Sequence, residues 1–307
     1  MRCKKCQTKA VIKIPRHHAV FCKNCFFDYF RSQVERAIHD WKMFAPKERV
    51  LVAVSGGKDS LALWDVLVEL GYPAEGLYVD LGIGGYSIES RTKAEGFAAS
   101  RGLNLRVADL RGDYQGGIPE ISEESARSPC SACGTIKRYL FNQIAVEEGF
   151  DVLATGHNLD DEASRLLGNV LQWQVDYLAQ QTPALPASHP KLSRKVKPLF
   201  RLAEREIAAY AFLKGIDYIV EECPMSKGAK QFLYKEILNR LEEESPGTKQ
   251  AFYWNFLKEG RRALVSSLEK PPLRECSRCG QVTTGEVCSF CRLVGKKAES
   301  GATHEAS

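Results

Sequence analysis

Three short stretches carry residues whose types and spacing suit chemistry: SGGKDS at 55–60, SPCSACGTIKR at 128–138 and ATGHNLDDEA at 154–163. Before the first, the apolar run Leu51, Val52, Ala53 and Val54 reads as a strand buried on both faces. It stops on Ser55, Gly56 and Gly57, where glycine permits a tight loop, and Asp59 and Ser60 suit the first turn of the helix that LALWDVLVEL predicts. Strand, glycine loop and helix N-terminus leave free N–H groups and a positive dipole end aimed at one point, a geometry that takes an anion such as phosphate. The spacing is not that of the GxxxxGKS/T loop. In the third stretch, Asp160 and Asp161 open a helix just past a strand end. Adjacent helical residues point in different directions, so at most one of these carboxylates faces a ligand there, and either one is also an ordinary N-terminal cap.

The cysteines form a second chemistry. Of eleven, ten fall in CxxC pairs: Cys3/Cys6, Cys22/Cys25, Cys130/Cys133, Cys276/Cys279 and Cys288/Cys291, while Cys223 stands alone. In a cytoplasmic chain this is metal-ligand arithmetic rather than a disulfide framework. The first two pairs and the last two make tetrads with the signature of tetrahedral zinc, two Zn2+ in all, each closing a module too small to fold on its own core. His17 and His18 are surplus to the first tetrad. Cys130, Cys133 and Cys223 are one short of a closed structural site. They fit a 4Fe-4S cluster with one open iron, a redox site carrying a persulfide, or, with His157, a third zinc. Cys130 and Cys133 read as preceding a helix whose N–H groups favour thiolate. Lys137 lies one helical turn beyond Cys133 and can share its face. Basic residues crowd both tetrads (Lys4, Lys5, Lys9, Lys13, Lys23; Arg274, Arg278, Arg292), which suits RNA phosphates.

These residues must be held by a scaffold, and the pattern around them predicts one. A helix over 31–44 stops at Pro46. Strands over 50–54, 75–81, 104–110 and 151–156 then alternate with helices over 59–70, about 87–101, 134–148 and from 159. That alternation predicts an α/β fold with a doubly wound parallel sheet and ligands at the carboxyl ends of its strands, where SGGKDS, Asp80 and GHNLDD all fall. A proline-rich stretch ending in KLSRKVKPLF reads as a basic surface loop. Helices over 203–214, 226–244 and 247–269 follow, and the polar tail from Lys296 reads as disordered. The expected organisation is a zinc module at 1–30, a catalytic domain at 31–220, a helical extension at 221–270 bearing Cys223, a zinc module at 271–293 and a tail at 294–307. With 307 residues, 44% hydrophobic, 26% charged and a net charge of +5, the chain has room for a sizeable core and permits a nucleic-acid partner. No apolar run reaches membrane-spanning length and the start lacks a signal-peptide core, so a cytoplasmic protein with no membrane partner is expected.

SGGKDS after VAV resembles the PP-loop of the ATP pyrophosphatases, which split ATP between its α and β phosphates and leave AMP on a carbonyl oxygen. In that resemblance Ser55, Gly56, Gly57, Asp59 and Ser60 hold the pyrophosphate, Lys58 adds positive charge, and Ala53, Asp80 and Gly156 complete the nucleotide site. Together with SPCSACGTIKR, ATGHNLDDEA, Cys223 and the end modules, the chain is similar to the tRNA 2-thiolation enzymes of the TtuA/TtcA family up to about residue 293. The paired zinc modules and the KR after CxxCG are nearest the TtuA branch. The resemblance implies adenylation of a uridine C2 oxygen by ATP with Mg2+, followed by displacement of AMP by sulfur. It implies a 4Fe-4S cluster on Cys130, Cys133 and Cys223, with catalytic roles for Lys137 and Asp161. The implied partners are tRNA, thiolated at the T-loop uridine, a thiocarboxylated ubiquitin-like carrier, and a second copy in a homodimer. Wobble-uridine thiolases share the end modules and are the competing reading. An amidating synthetase would leave the extra cysteines idle, and a zinc-ribbon RNA-binding protein would leave SGGKDS unexplained.

Overall fold

The computed structural model describes residues 1–114, 116–226, 230–265 and 272–295. At its centre β3 (Val50–Val54), β4 (Ala74–Asp80), β5 (Leu105–Asp109), β6 (Val152–Thr155), β7 (Ala184–Leu185) and β8 (Arg194–Val196) form one sheet in the order β5-β4-β3-β6-β8-β7. All neighbours run parallel except β7, which lies antiparallel on β8. The predicted α/β sheet is therefore present, with an antiparallel edge that the pattern did not announce. KLSRKVKPLF is not simply a surface loop, because it supplies β8. Two cations on three residues give no apolar alternation to read. Of its basic residues, Lys191, Arg194 and Lys197 are each paired with a carboxylate, Glu275, Glu48 and Glu162 respectively.

Alternation on the strands divides the core. Val50, Val52, Val54, Val152 and Ala154 pack on one face with α2 (Lys58–Glu69), α3 (Gly84–Arg101) and α9 (Glu204–Lys214), a layer that includes fully buried Trp64 and Tyr210. Leu51, Leu77 and Leu153 face the other way, toward Ala145 on α6 (Pro129–Glu147). Short helices α4 (Leu110–Tyr114) and α5 (Ile118–Glu124) lead into α6. After β6 come α7 (Leu159–Leu171) and α8 (Val175–Gln180). The later helices are α10 (Lys230–Glu244), α11 (Thr248–Asn255), a π-helical turn at Phe256–Gly260, and α12 (Arg261–Val265). Parts of the helices expected over 226–244 and 247–269, and the whole tail from Lys296, lie outside the described residues.

Both cysteine modules are built into the fold. The hairpin of β1 (Ile12–Ile14) and β2 (Ala19–Phe21) runs into α1 (Lys23–Asp40), which starts inside the first module and continues into the central domain. Helix α1 ends at Asp40, short of the expected 44, because Trp41 closes it and Lys42 turns to φ 45°. Its Phe30 stacks on Tyr210 at 3.9 Å, and Arg16 pairs with buried Glu206 at 2.6 Å. The second module holds β9 (Arg274–Glu275), β10 (Val282–Thr283) and α13 (Ser289–Val294). It shares a core with α6: Phe290 stacks on Tyr139 at 3.7 Å, beside Ile136 and Leu140. Among the described residues no helix is long and apolar enough to cross a membrane.

Candidate active site

The loop after β3 is shaped by one hydroxyl. Ser55 donates its N–H to Ser60 Oγ at 3.0 Å, and Ser60 Oγ in turn donates to the Gly57 carbonyl at 3.0 Å. Gly56 sits at φ +75°, and a Cβ there would lie 2.2 Å from the Ser90 carbonyl oxygen, so only glycine fits. Gly57 caps α2 without a side-chain hydrogen bond, leaving the first-turn N–H groups available to an anion. Gly156, at the end of β6, presses on this loop; a Cβ there would lie 2.9 Å from Asp59 C and Ser60 N.

A cavity of about 380 Å3 opens over the carboxyl edge of the sheet. Of the residues named from sequence, Ala53, Ser55, Asp59, Ser60, Lys137, Gly156 and Asp161 line it. Gly56, Gly57, Lys58 and Asp80 do not. Lys58 turns away to Asp59 at 3.1 Å and Glu204 at 2.8 Å. Asp80 accepts a hydrogen bond from Gly82 N at 3.0 Å and lies 3.8 Å from Arg91. Lys137 reaches the cavity with no ion-pair partner among the described residues. His157 also lines it, bonded to Thr155 at 2.8 Å and not grouped with any thiols.

The two aspartates that open α7 separate as the helix geometry requires. Asp161 faces the cavity and closes a capping box with Asn158, each side chain taking the other's backbone N–H at 3.1 Å. Asp160 points into the protein, to the buried Lys249 ammonium at 2.5 Å and the Glu204 N–H at 2.8 Å. Two residues that the sequence did not flag tie this edge together. Lys235 on α10 bridges Asp161 at 2.6 Å and Glu204 at 3.1 Å. Burial would raise the Glu204 carboxyl, but Lys235 and Lys58 bring it down to about 2. Asp59 moves the other way. Burial, only partly offset by Lys58, and the charges of Asp161 and Glu204 hold it above its ordinary value. No local signal marks Lys235 or Glu204, because their partners lie far off in the chain. Asn158 was readable as the Asn-x-x-Asp start of a helix.

The thiols fall into two kinds of arrangement. Cys3, Cys6, Cys22 and Cys25, and likewise Cys276, Cys279, Cys288 and Cys291, bring their sulfurs within 4.8 Å of one another. Measured edges are 3.5 Å for Cys6–Cys22 and 3.7 Å for Cys279–Cys288. Four sulfurs about 2.3 Å from one tetrahedral ion stand about 3.8 Å apart, so both tetrads fit a single metal ion. Cys130 and Cys133 lie within the first turns of α6, which begins at Pro129 rather than 134, and Cys223 abuts the 3-10 turn Pro224–Ser226, where the Met225 carbonyl accepts from Cys130 Sγ at 3.7 Å. These three do not form a close group of the tetrad kind. A single ion gathers its ligands to contact distance, whereas a multinuclear cluster keeps each thiolate on its own iron, so the wider spacing fits a cluster. At Cys130 burial, then the nearby Cys133 and Cys223, push the thiol up, partly offset by Lys137. Tyr86, a cavity residue, packs against the same apolar cluster as Cys133 and Cys223.

The PP-loop domain family matches residues 29–241, and the N-terminal LIM domain of the 2-thiouridine synthetase TtuA matches residues 2–27. The chain is 52% identical to the tRNA-5-methyluridine(54) 2-sulfurtransferase of Thermus thermophilus over 95% of this chain and 91% of that protein. The chain belongs to this sulfurtransferase family. A second member, from Pyrococcus horikoshii, is 43% identical over 97% of this chain and 95% of its own. The solved structure of the U34-tRNA thiolase NcsA from Methanococcus maripaludis with its 4Fe-4S cluster superposes with a TM-score of 0.82, at 29% identity and 95% coverage of both chains. The PP-loop family match extends to residue 241, within α10, and takes in both Cys223 and Lys235.

Proposed function

We propose that the protein is an ATP-dependent tRNA 2-sulfurtransferase acting on the T-loop uridine at position 54. The observation that carries this reading is one cavity with a PP-loop on one wall and, on another, a helix bearing Lys137 in the lining and Cys130 and Cys133 in its first turns. The family relatives, named for 5-methyluridine(54), favour the T-loop over the wobble base. The loop N–H groups at the start of α2, with Ser55 and Ser60, receive the β and γ phosphates. Asp59 and Asp161, whose charges bear on one another at the cavity edge, would hold Mg2+, which would neutralise charge on the ATP phosphates. The uridine O2 attacks the α phosphorus, pyrophosphate leaves, and Lys137 offsets the negative charge that develops on the α-phosphate oxygens. Sulfur then adds at C2 and AMP departs with the former carbonyl oxygen. Cys130, Cys133 and Cys223 would hold a 4Fe-4S cluster, which supplies an open coordination position for sulfide. The tetrads would hold Zn2+, as their all-sulfur closed sets suit. A ubiquitin-like thiocarboxylate carrier, a homodimeric state and a cytoplasmic setting complete the reading on the strength of the family resemblance.

Anaerobic purification, iron quantification and mass spectrometry of nucleosides after reaction with ATP and a sulfur donor test this. Thiolation should follow iron content and disappear in Cys130→Ala, Cys133→Ala and Cys223→Ala while ATP binding persists. Robust activity without iron overturns the cluster. Thiolation at position 34 instead of 54 overturns the target.

A further inference from the structure

Beyond the cavity, three neighbouring cations have no salt-bridge partner among the described residues. Arg138 follows Lys137 on α6, Arg165 lies one turn past Asp161 on α7, and Lys195 projects from β8 in register with Leu153, on the α6 side of the sheet. None has an ion-pair partner among the described residues, whereas the neighbouring Lys191, Arg194 and Lys197 are all paired. Burial and then Arg165 hold the Arg138 guanidinium below its usual range, and burial and then Arg138 do the same to Lys195. Like charges that bear on one another with no direct ion pair are a cost that a polyanion would relieve.

Aromatic surface adjoins them. Tyr177 lies near enough for its hydroxyl to bear on Arg138, and it is 66% exposed. Trp173 is 72% exposed, held outward by a turn with φ 46° between α7 and α8. Asp176 is the one acid between them. A second hollow of about 180 Å3, lined by Arg165, Asn169, Gln172 and Gln231, shares Gln231 with the nucleotide cavity and extends it toward this edge.

We infer that the strip from Arg138, Arg165 and Lys195 to Trp173 and Tyr177 grips the RNA strand that flanks the target uridine. The cations take phosphates and the exposed rings stack on unpaired bases, the combination that recognises single-stranded RNA in loops. This rests on the sulfurtransferase reading and adds the surface by which its substrate enters. Binding of unmodified tRNA by the full-length, metal-replete protein is measured across a salt series without ATP. Joint replacement Trp173→Ala and Tyr177→Ala should weaken binding at least about tenfold. Arg165→Ala should weaken it and lower the salt slope by about one, with melting temperature and ATP affinity unchanged in both variants. Wild-type affinity and slope in both overturn the inference. Failure of the wild type to bind tRNA at all overturns the sulfurtransferase reading itself. If both variants bind tRNA normally and lose thiolation only with a protein-borne sulfur donor, the strip serves the carrier and the inference falls.

Discussion

Asp160 and Asp161 are neighbours with opposite duties, and substitution should separate them. Asp161→Asn keeps an acceptor for the Asn158 N–H but removes the charge facing the cavity. Thiolation should fall by about a hundredfold or more, within the range of a lost catalytic group, with little change in melting temperature. Asp160→Asn leaves Lys249 without its anion where both side chains are 7% exposed. Breaking such a pair costs about 3–5 kcal/mol, so urea unfolding should shift by that order. The reverse pattern would exchange the two roles. Glu204 supplies a pH test. Its folded value near 2 lies below the ordinary 4.5, so its pairing stabilises the fold above 4.5, and that contribution is lost as pH falls from 4.5 toward 2. Glu204→Gln should lose stability at neutral pH and show a shallower acid limb; an unchanged limb would remove Glu204 from the account.

At the scale of elements, the site depends on two loops touching through glycine. Gly56 lies under the Ser90 carbonyl, and Gly156 against the backbone of Asp59 and Ser60. Gly156→Ala must push α2's first turn away from β6, so ATP affinity measured by calorimetry should drop at least about tenfold, roughly 1.4 kcal/mol. The sheet and helix contents should hold, because the contact is local. Normal ATP affinity in Gly156→Ala would show that the loop tolerates the shift.

Across the whole molecule, the C-terminal tetrad is coupled to the chemistry through packing. Its Phe290 lies flat on Tyr139 of α6, the helix that also presents Cys130, Cys133 and Lys137. Phe290→Ala removes a buried ring whose loss typically costs about 3–5 kcal/mol. Thiolation should fall although no altered atom lines the cavity, and the N-terminal tetrad should keep its metal. Selective chelation at the C-terminal tetrad should act the same way, read by metal content beside activity. For that reason, truncating this module tests α6 packing before it tests RNA contact by Arg274 or Arg278.

The sequence determined by itself whatever depends on short-range order. Strand, glycine loop and helix start are local, so SGGKDS announced its own geometry, and CxxC spacing announced both tetrads because a turn brings such pairs to one ion. Four parallel strands were legible from apolar runs alternating with helices. Contacts between distant segments were decided only by tertiary structure. The pairing of β8 with β6 draws a charged segment into the sheet, and long-range ion pairs recruit Lys235, Glu204 and Lys249. The surroundings of Cys130 were likewise set by tertiary structure, because its burial and the neighbouring Cys223 sulfur exist only once α6 and the 3-10 turn at 224–226 have met.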